Sequence, residues 1–102
     1  MDRKEFIKNE INQYPDDPFN YYLLAIELVK EGAFEEGFIQ FDRLITKHPD
    51  YIATYYTYAA SLIEAEEENR AEKILLLGIR EAEKKGAAKA LKELKQLLEL
   101  NF

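Results

Sequence analysis

Residues 14–25 read YPDDPFNYYLLA, and residues 48–59 read HPDYIATYYTYA. Set side by side, the stretches match Pro15 to Pro49, Asp16 to Asp50, Tyr21 to Tyr55, Tyr22 to Tyr56 and Ala25 to Ala59, always 34 positions apart. The same shift carries Leu28 to Leu62 and Ile45 to Ile79. A fixed period of this length marks a repeat architecture, in which each unit buries its apolar face only by stacking on a neighbour.

Outward from these stretches, the apolar spacing is helical throughout. Phe6, Ile7 and Ile11 form one narrow stripe over Asp2 to Asn12, and YPDDP stops it. Asp17 followed by Pro18 predicts an N-cap with proline in the first turn, where its missing N–H costs nothing. That helix runs to about Glu31 and Gly32 closes it. Phe34, Phe38, Phe41 and Ile45 then share a face, and Pro49 forbids continuation past His48. Asp50 is expected to cap the next helix, roughly Ile52 to Ala65. Asn69 with Glu72 resembles a capping box opening a helix that carries Ala71, Ile74, Leu75, Gly78, Ile79 and Ala82 and ends at Gly86. The last segment sets Leu91, Leu94, Leu97 and Leu98 on one side and Lys89, Lys92 and Lys95 elsewhere. The sum is about six helices joined by short turns, a connection length that favours antiparallel neighbours.

Composition agrees with one small packed domain: 102 residues, 47% hydrophobic and 13% aromatic. The absence of cysteine removes disulfides, thiolate chemistry and sulfur-bound metals. The N-terminal MDRKEFIKNE is charged throughout and lacks the apolar core of a signal peptide, so the expected location is cytoplasmic. No apolar run is long enough to predict a membrane span. A formal net charge of -6 argues against a nucleic-acid footprint, which needs clustered Lys and Arg. Residues 1–68 hold 15 acidic and 6 basic side chains, -9, whereas residues 69–102 hold 5 and 8, +3. Such a gradient is either an ordinary solvated surface or a device that orients a charged partner or a second copy.

On these residues the chain resembles the tetratricopeptide repeat family, whose unit is a 34-residue helix-turn-helix. The family's pattern falls on Tyr21, Leu24, Ala25, Leu28, Gly37, Phe41 and Pro49 in the first copy. In the second it falls on Tyr55, Tyr58, Ala59, Leu62, Ala71 and Leu75, with Glu83 at the proline position and Glu66 in place of Gly32. Without the proline, the second helix of that copy is expected to run further. Small residues at Ala25, Ala59, Gly37 and Ala71 suit closely approaching helices. The resemblance implies an all-α, right-handed α-solenoid of antiparallel helix pairs. It further implies one domain over 1–102, with an N-terminal helix at 1–16, repeats at 18–51 and 52–85, and a capping helix at 87–102. It suggests a short free-standing member of the family.

Catalytic signals are lacking. His48, the single histidine, precedes Pro49 at a helix end, where it serves a helix C-terminus better than it serves as a general base. Glu64, Glu66, Glu67 and Glu68 run around a turn rather than converging, which reads as a solvated cluster before a weak cation site. The four glycines are isolated, so no phosphate loop exists. The expectation is no enzyme, no cofactor and no metal.

Leading helices of tetratricopeptide repeats line a concave groove that receives peptides. Carried over, the groove positions are Phe19, Tyr22, Ile26, Val29 and Lys30 in the first copy and Ala53, Tyr56, Ala60, Ile63 and Glu64 in the second. Tyr21 and Tyr55 are expected to point into their helix pairs, about 100° away from Tyr22 and Tyr56. Family members that clamp a C-terminal carboxylate place Lys, Asn and Arg in the groove, whereas Tyr22, Ile26, Tyr56 and Ala60 stand here. The expected function is a protein-interaction module taking a hydrophobic peptide or amphipathic helix. The alternative is a structural homo-oligomer that buries the groove or the repeat ends in a second copy.

Overall fold

The computed structural model describes residues 2–102; Met1, which the expected N-terminal helix and domain spans include, lies outside them. Six helices and no strand occupy the described residues: α1 Arg3–Gln13, α2 Pro18–Lys30, α3 Phe34–Lys47, α4 Ala53–Glu64, α5 Glu68–Lys85 and α6 Ala88–Asn101. Among the described residues the fold is all-α and divides into two compact units between His48 and Pro49.

In the first unit, carboxylates open α1 and α2. Asp2 accepts a hydrogen bond from the Glu5 N–H at 2.8 Å, and Asp17 accepts one from the Phe19 N–H at 3.0 Å with Pro18 as the first helical residue. Three residues reverse the chain between α2 and α3, which forces the packed helices antiparallel. Gly32 takes φ +86° in this turn. The Gly32 N–H donates to the Val29 carbonyl and the Ala33 N–H to the Leu28 carbonyl, occupying two acceptors the helix end would leave open. Further along α3, a Cβ on Gly37 would sit 3.1 Å from the Ala25 carbonyl oxygen and 2.7 Å from Val29 Cγ2. The close approach inferred from small residues is therefore present in this pair. Ile7 of α1 is buried against Leu24 and Leu28, with Ile11, Leu23 and Ala33 packed around them. Ion pairs from Arg3 to Glu27 and Lys4 to Glu31 run along the rim of that contact. Exposed pairs of this kind contribute less than the apolar packing beneath them.

The second unit repeats the pair with two departures from the expected caps. Asp50 does not cap α4: the N-cap is Ile52, with no side-chain hydrogen bond. The reason lies in the period. Asp17, which caps α2, has Tyr51 as its counterpart, while Asp50 matches the non-capping Asp16. Tighter i→i+3 bonds serve instead, from the Thr54 N–H to the Tyr51 carbonyl and the Tyr55 N–H to the Ile52 carbonyl. Nor does Asn69 open α5, which starts at Glu68 with Glu67 as N-cap. Here Glu66 adopts φ +62° and reproduces the Gly32 turn bond for bond. Its N–H donates to the Ile63 carbonyl and the Glu67 N–H to the Leu62 carbonyl. The turn thus starts α5 one full period after α3.

Lacking a proline at position 83, α5 runs 18 residues against 14 for α3, as expected, and stops at Gly86. α6 packs on α5 and α4 through Leu94, which is buried, while Leu91, Leu97 and Leu98 are half-buried. Tyr55, Tyr58, Ala59, Leu62, Ala71, Leu75 and Ala82 are buried with it.

Candidate functional site

Successive helical residues point about 100° apart, so each Tyr-Tyr pair must divide its side chains. The Tyr21 hydroxyl donates to the Pro15 carbonyl at 2.7 Å, and the Tyr55 hydroxyl donates to the Pro49 carbonyl at 2.7 Å. The bond is copied with the period, and it ties each leading helix to the loop before it. The two rings differ in cover, however. Tyr55 is fully buried, whereas Tyr21 is only half-buried. Burial, followed by the nearby Glu81 and Asp50 carboxylates, pushes the Tyr55 hydroxyl up to about 12.

The second tyrosines turn elsewhere. Tyr22 is half-buried and meets the Phe41 ring edge-on, centroids 6.5 Å apart, while Tyr56 is 40% exposed. On α2, Phe19 is 49% exposed, Ile26 is half-buried and Lys30 is exposed, its ammonium 3.7 Å from Glu27. Val29 is half-buried and also packs on Gly37, so it belongs in part to the α2–α3 contact. On α4, Ala53 and Glu64 are exposed, and Ala60 and Ile63 are half-buried.

Each leading helix therefore carries a strip of incompletely covered apolar residues at helical spacing. On α2 the strip is Phe19, Tyr22 and Ile26; on α4 it is Ala53, Tyr56, Ala60 and Ile63. Charge enters only at the C-terminal ends, with Lys30 and Glu64. Such strips offer apolar area and phenolic hydroxyls to a ligand but no nucleophile or acid–base pair. Among the described residues no group of three His, Asp or Glu side chains is placed to hold a metal ion. His48 is the C-cap of α3, its N–H donating to the Leu44 carbonyl at 2.7 Å. Among the described residues no helix is long and apolar enough to cross a membrane.

Gly78 was placed on the fifth helix by sequence without a role. A Cβ there would meet Tyr55 Cβ at 2.5 Å, Tyr55 Cγ at 2.8 Å and Leu94 Cδ1 at 3.3 Å. The available signal was a glycine in mid-helix, which costs about 1 kcal/mol relative to alanine and so calls for a packing reason. Its counterpart is Leu44, so the period itself gave no hint.

No family model matches the chain, and no curated protein matches it either. Solved structures do. The solution NMR structure of a tetratricopeptide repeat domain protein from Salinibacter ruber is 30% identical at a TM-score of 0.79, over 85% of this chain and 88% of that one. A crystal structure of a tetratricopeptide repeat domain protein from the same organism is 29% identical at a TM-score of 0.73, over 83% of this chain and 94% of the other. With the repeated turn, the repeated tyrosine bond and the small-residue contacts already in place, the chain belongs to the tetratricopeptide repeat family.

Proposed function

We propose that the chain is a non-enzymatic protein-interaction module that takes a hydrophobic or amphipathic segment of a partner protein on the leading helices of its repeats. The observation that carries this reading is the exposed aromatic surface beside the bonded tyrosines. The Tyr21 and Tyr55 hydroxyls are occupied by the loop bond, while the Tyr56 and Phe19 rings hold large apolar surface in solvent. The contact residues are Phe19, Tyr22, Ile26, Val29 and Lys30 on α2, and Tyr56, Ala60, Ile63 and Glu64 on α4. Tyrosine suits such a surface because it presents a large rigid area at low conformational cost with a hydroxyl at its tip.

The test is a pull-down with the full chain, followed by affinity measurement on each protein recovered. Tyr56→Ala is expected to weaken binding by about tenfold or more while changing stability by under about 1 kcal/mol. Tyr22→Ala is expected to weaken binding similarly, with an added loss of stability from its contact with Phe41. Unchanged affinity in both variants would remove the assignment. Sedimentation over a hundredfold range of concentration separates the homo-oligomer reading: a dimer lost on Tyr56→Ala would make a second copy the occupant of this surface.

A further inference from the structure

Between the Pro15–Asp16 step, the Tyr21 ring and the last turns of α3, the first unit holds a cavity of about 290 Å³. Pro15, Tyr21 and the buried Leu44 give it an apolar lining, and Arg43, Lys47 and His48 stand around it. The Gln40 amide joins them, and Asp16 is the one carboxylate among the lining residues. Elsewhere in this unit, Arg3, Lys4 and Lys30 are spent on Glu27 and Glu31. Arg43 and Lys47 have no ion-pair partner among the described residues.

The repeat itself shows that helix pairing does not require these side chains. A shift of 34 carries Arg43, Lys47 and His48 to Leu77, Glu81 and Ala82, and the second unit forms the same pair with them. A cavity of about 300 Å³ lies there too, beside Pro49, Asp50 and Glu81. Its lysines are engaged: the Lys84 ammonium lies 3.2 Å from the Glu81 carboxylate, and the Lys85 ammonium donates to the main-chain carbonyl of Asp50 at 2.8 Å. Of these two equivalent cavities, the one in the first unit sets cations without an ion-pair partner over an apolar lining, in a stretch of chain that is otherwise strongly acidic.

We propose that the cavity of the first unit binds a small organic acid, its apolar body resting on Leu44, Pro15 and Tyr21 and its carboxylate held by Arg43 and Lys47. The guanidinium fork matches a carboxylate in shape as well as charge. The volume is at the small end of the range for ligand pockets, which suits a single ring or a short branched chain. A free acid and the terminal residue of a peptide present this same chemistry.

Titration of the full chain, followed by backbone amide shifts, tests the proposal with four probes: N-acetylphenylalanine, its C-terminal amide, inorganic phosphate, and an acetylated tetrapeptide ending in phenylalanine. The acid is expected to shift Asp16, Tyr21 and residues 43–48 saturably, with the amide and phosphate each weaker by about tenfold or more. Replacing Arg43→Leu and Lys47→Glu together, which installs the residues of the second copy, is expected to abolish those shifts while keeping wild-type helicity. If that double variant melts early, Arg43→Gln alone is expected to weaken the acid by about tenfold. Asp16→Asn is expected to tighten it, and Tyr56→Ala to leave it unchanged, which keeps this site separable from the partner surface. Equal binding of acid and amide, equal binding of acid and phosphate, shifts confined to other residues, or full affinity in a folded double variant would each overturn the proposal. A tetrapeptide about tenfold tighter than the free acid makes a chain end the natural source, and one no tighter makes it a free acid.

Discussion

Tyr55 and Tyr21 make the same hydrogen bond under different cover, and their energetics should separate accordingly. Truncating a fully buried aromatic ring costs about 3–5 kcal/mol, so Tyr55→Ala should lower the denaturant midpoint severely. Tyr21→Ala should cost about half as much, because its ring already meets solvent. The hydroxyl of Tyr55 carries a further signature in alkali. Its folded-state value lies near 12 against about 10 in the unfolded chain, so both states hold the proton below pH 10 and stability there is complete. Between pH 10 and 12 the unfolded chain ionises first, and stability should fall. In Tyr55→Phe this part of the alkaline loss should vanish from melts at stepped pH, after a loss of about 1 kcal/mol at neutral pH from the missing bond. The division of each Tyr-Tyr pair was legible from helix geometry alone. The unequal cover was not, since Gly78, which lies against Tyr55, has the larger Leu44 as its counterpart in the first copy.

At the level of helices and turns, the period outweighs local cap chemistry. Asp50 and Asn69 are good capping residues by type, yet neither caps: α5 starts one period after α3, ahead of Asn69, and α4 opens through i→i+3 bonds at Ile52, beyond Asp50. Glu66 is the clearest instance: it accepts the left-handed conformation that glycine takes in the first turn. For a residue with a Cβ that conformation costs about 1–2 kcal/mol, partly offset by the extra freedom glycine would bring to the unfolded chain. Glu66→Gly should therefore stabilise the chain by about 0.5–1 kcal/mol, visible as a rise of several degrees in the melting temperature. The interior glycines should respond in the opposite sense and unequally. Gly78→Ala drives a methyl into Tyr55 Cβ and should cost about 1–3 kcal/mol. Gly37→Ala should cost less, because Val29 Cγ2 can yield and the second copy already holds Ala71 at that position. Element type and order were legible from apolar spacing and proline placement. Exact starts were not, because cap propensities describe isolated helix ends, whereas these ends sit in turns set by tertiary packing.

On the scale of the molecule, the repeat made the family readable and, with it, the leading helices proposed above to take a partner. The cations of the first-unit cavity stayed invisible, since Arg43, Lys47 and His48 gain meaning only when the loop at Pro15 is folded beside them. A last consequence concerns the four extra residues of α5. In the first copy, Pro49 ends the second helix on schedule, and the five residues 48–52 lead into the next leading helix. In the second copy no such stop exists, and two residues separate α5 from α6. Residues 18–51 therefore behave as a tile that can be laid repeatedly, and residues 52–85 as the final course. Chains lengthened by inserting further copies of 18–51 should gain melting temperature with each copy, as stacked repeats do. Chains lengthened with 52–85 should not, because each inserted helix would overrun the place where the next one begins.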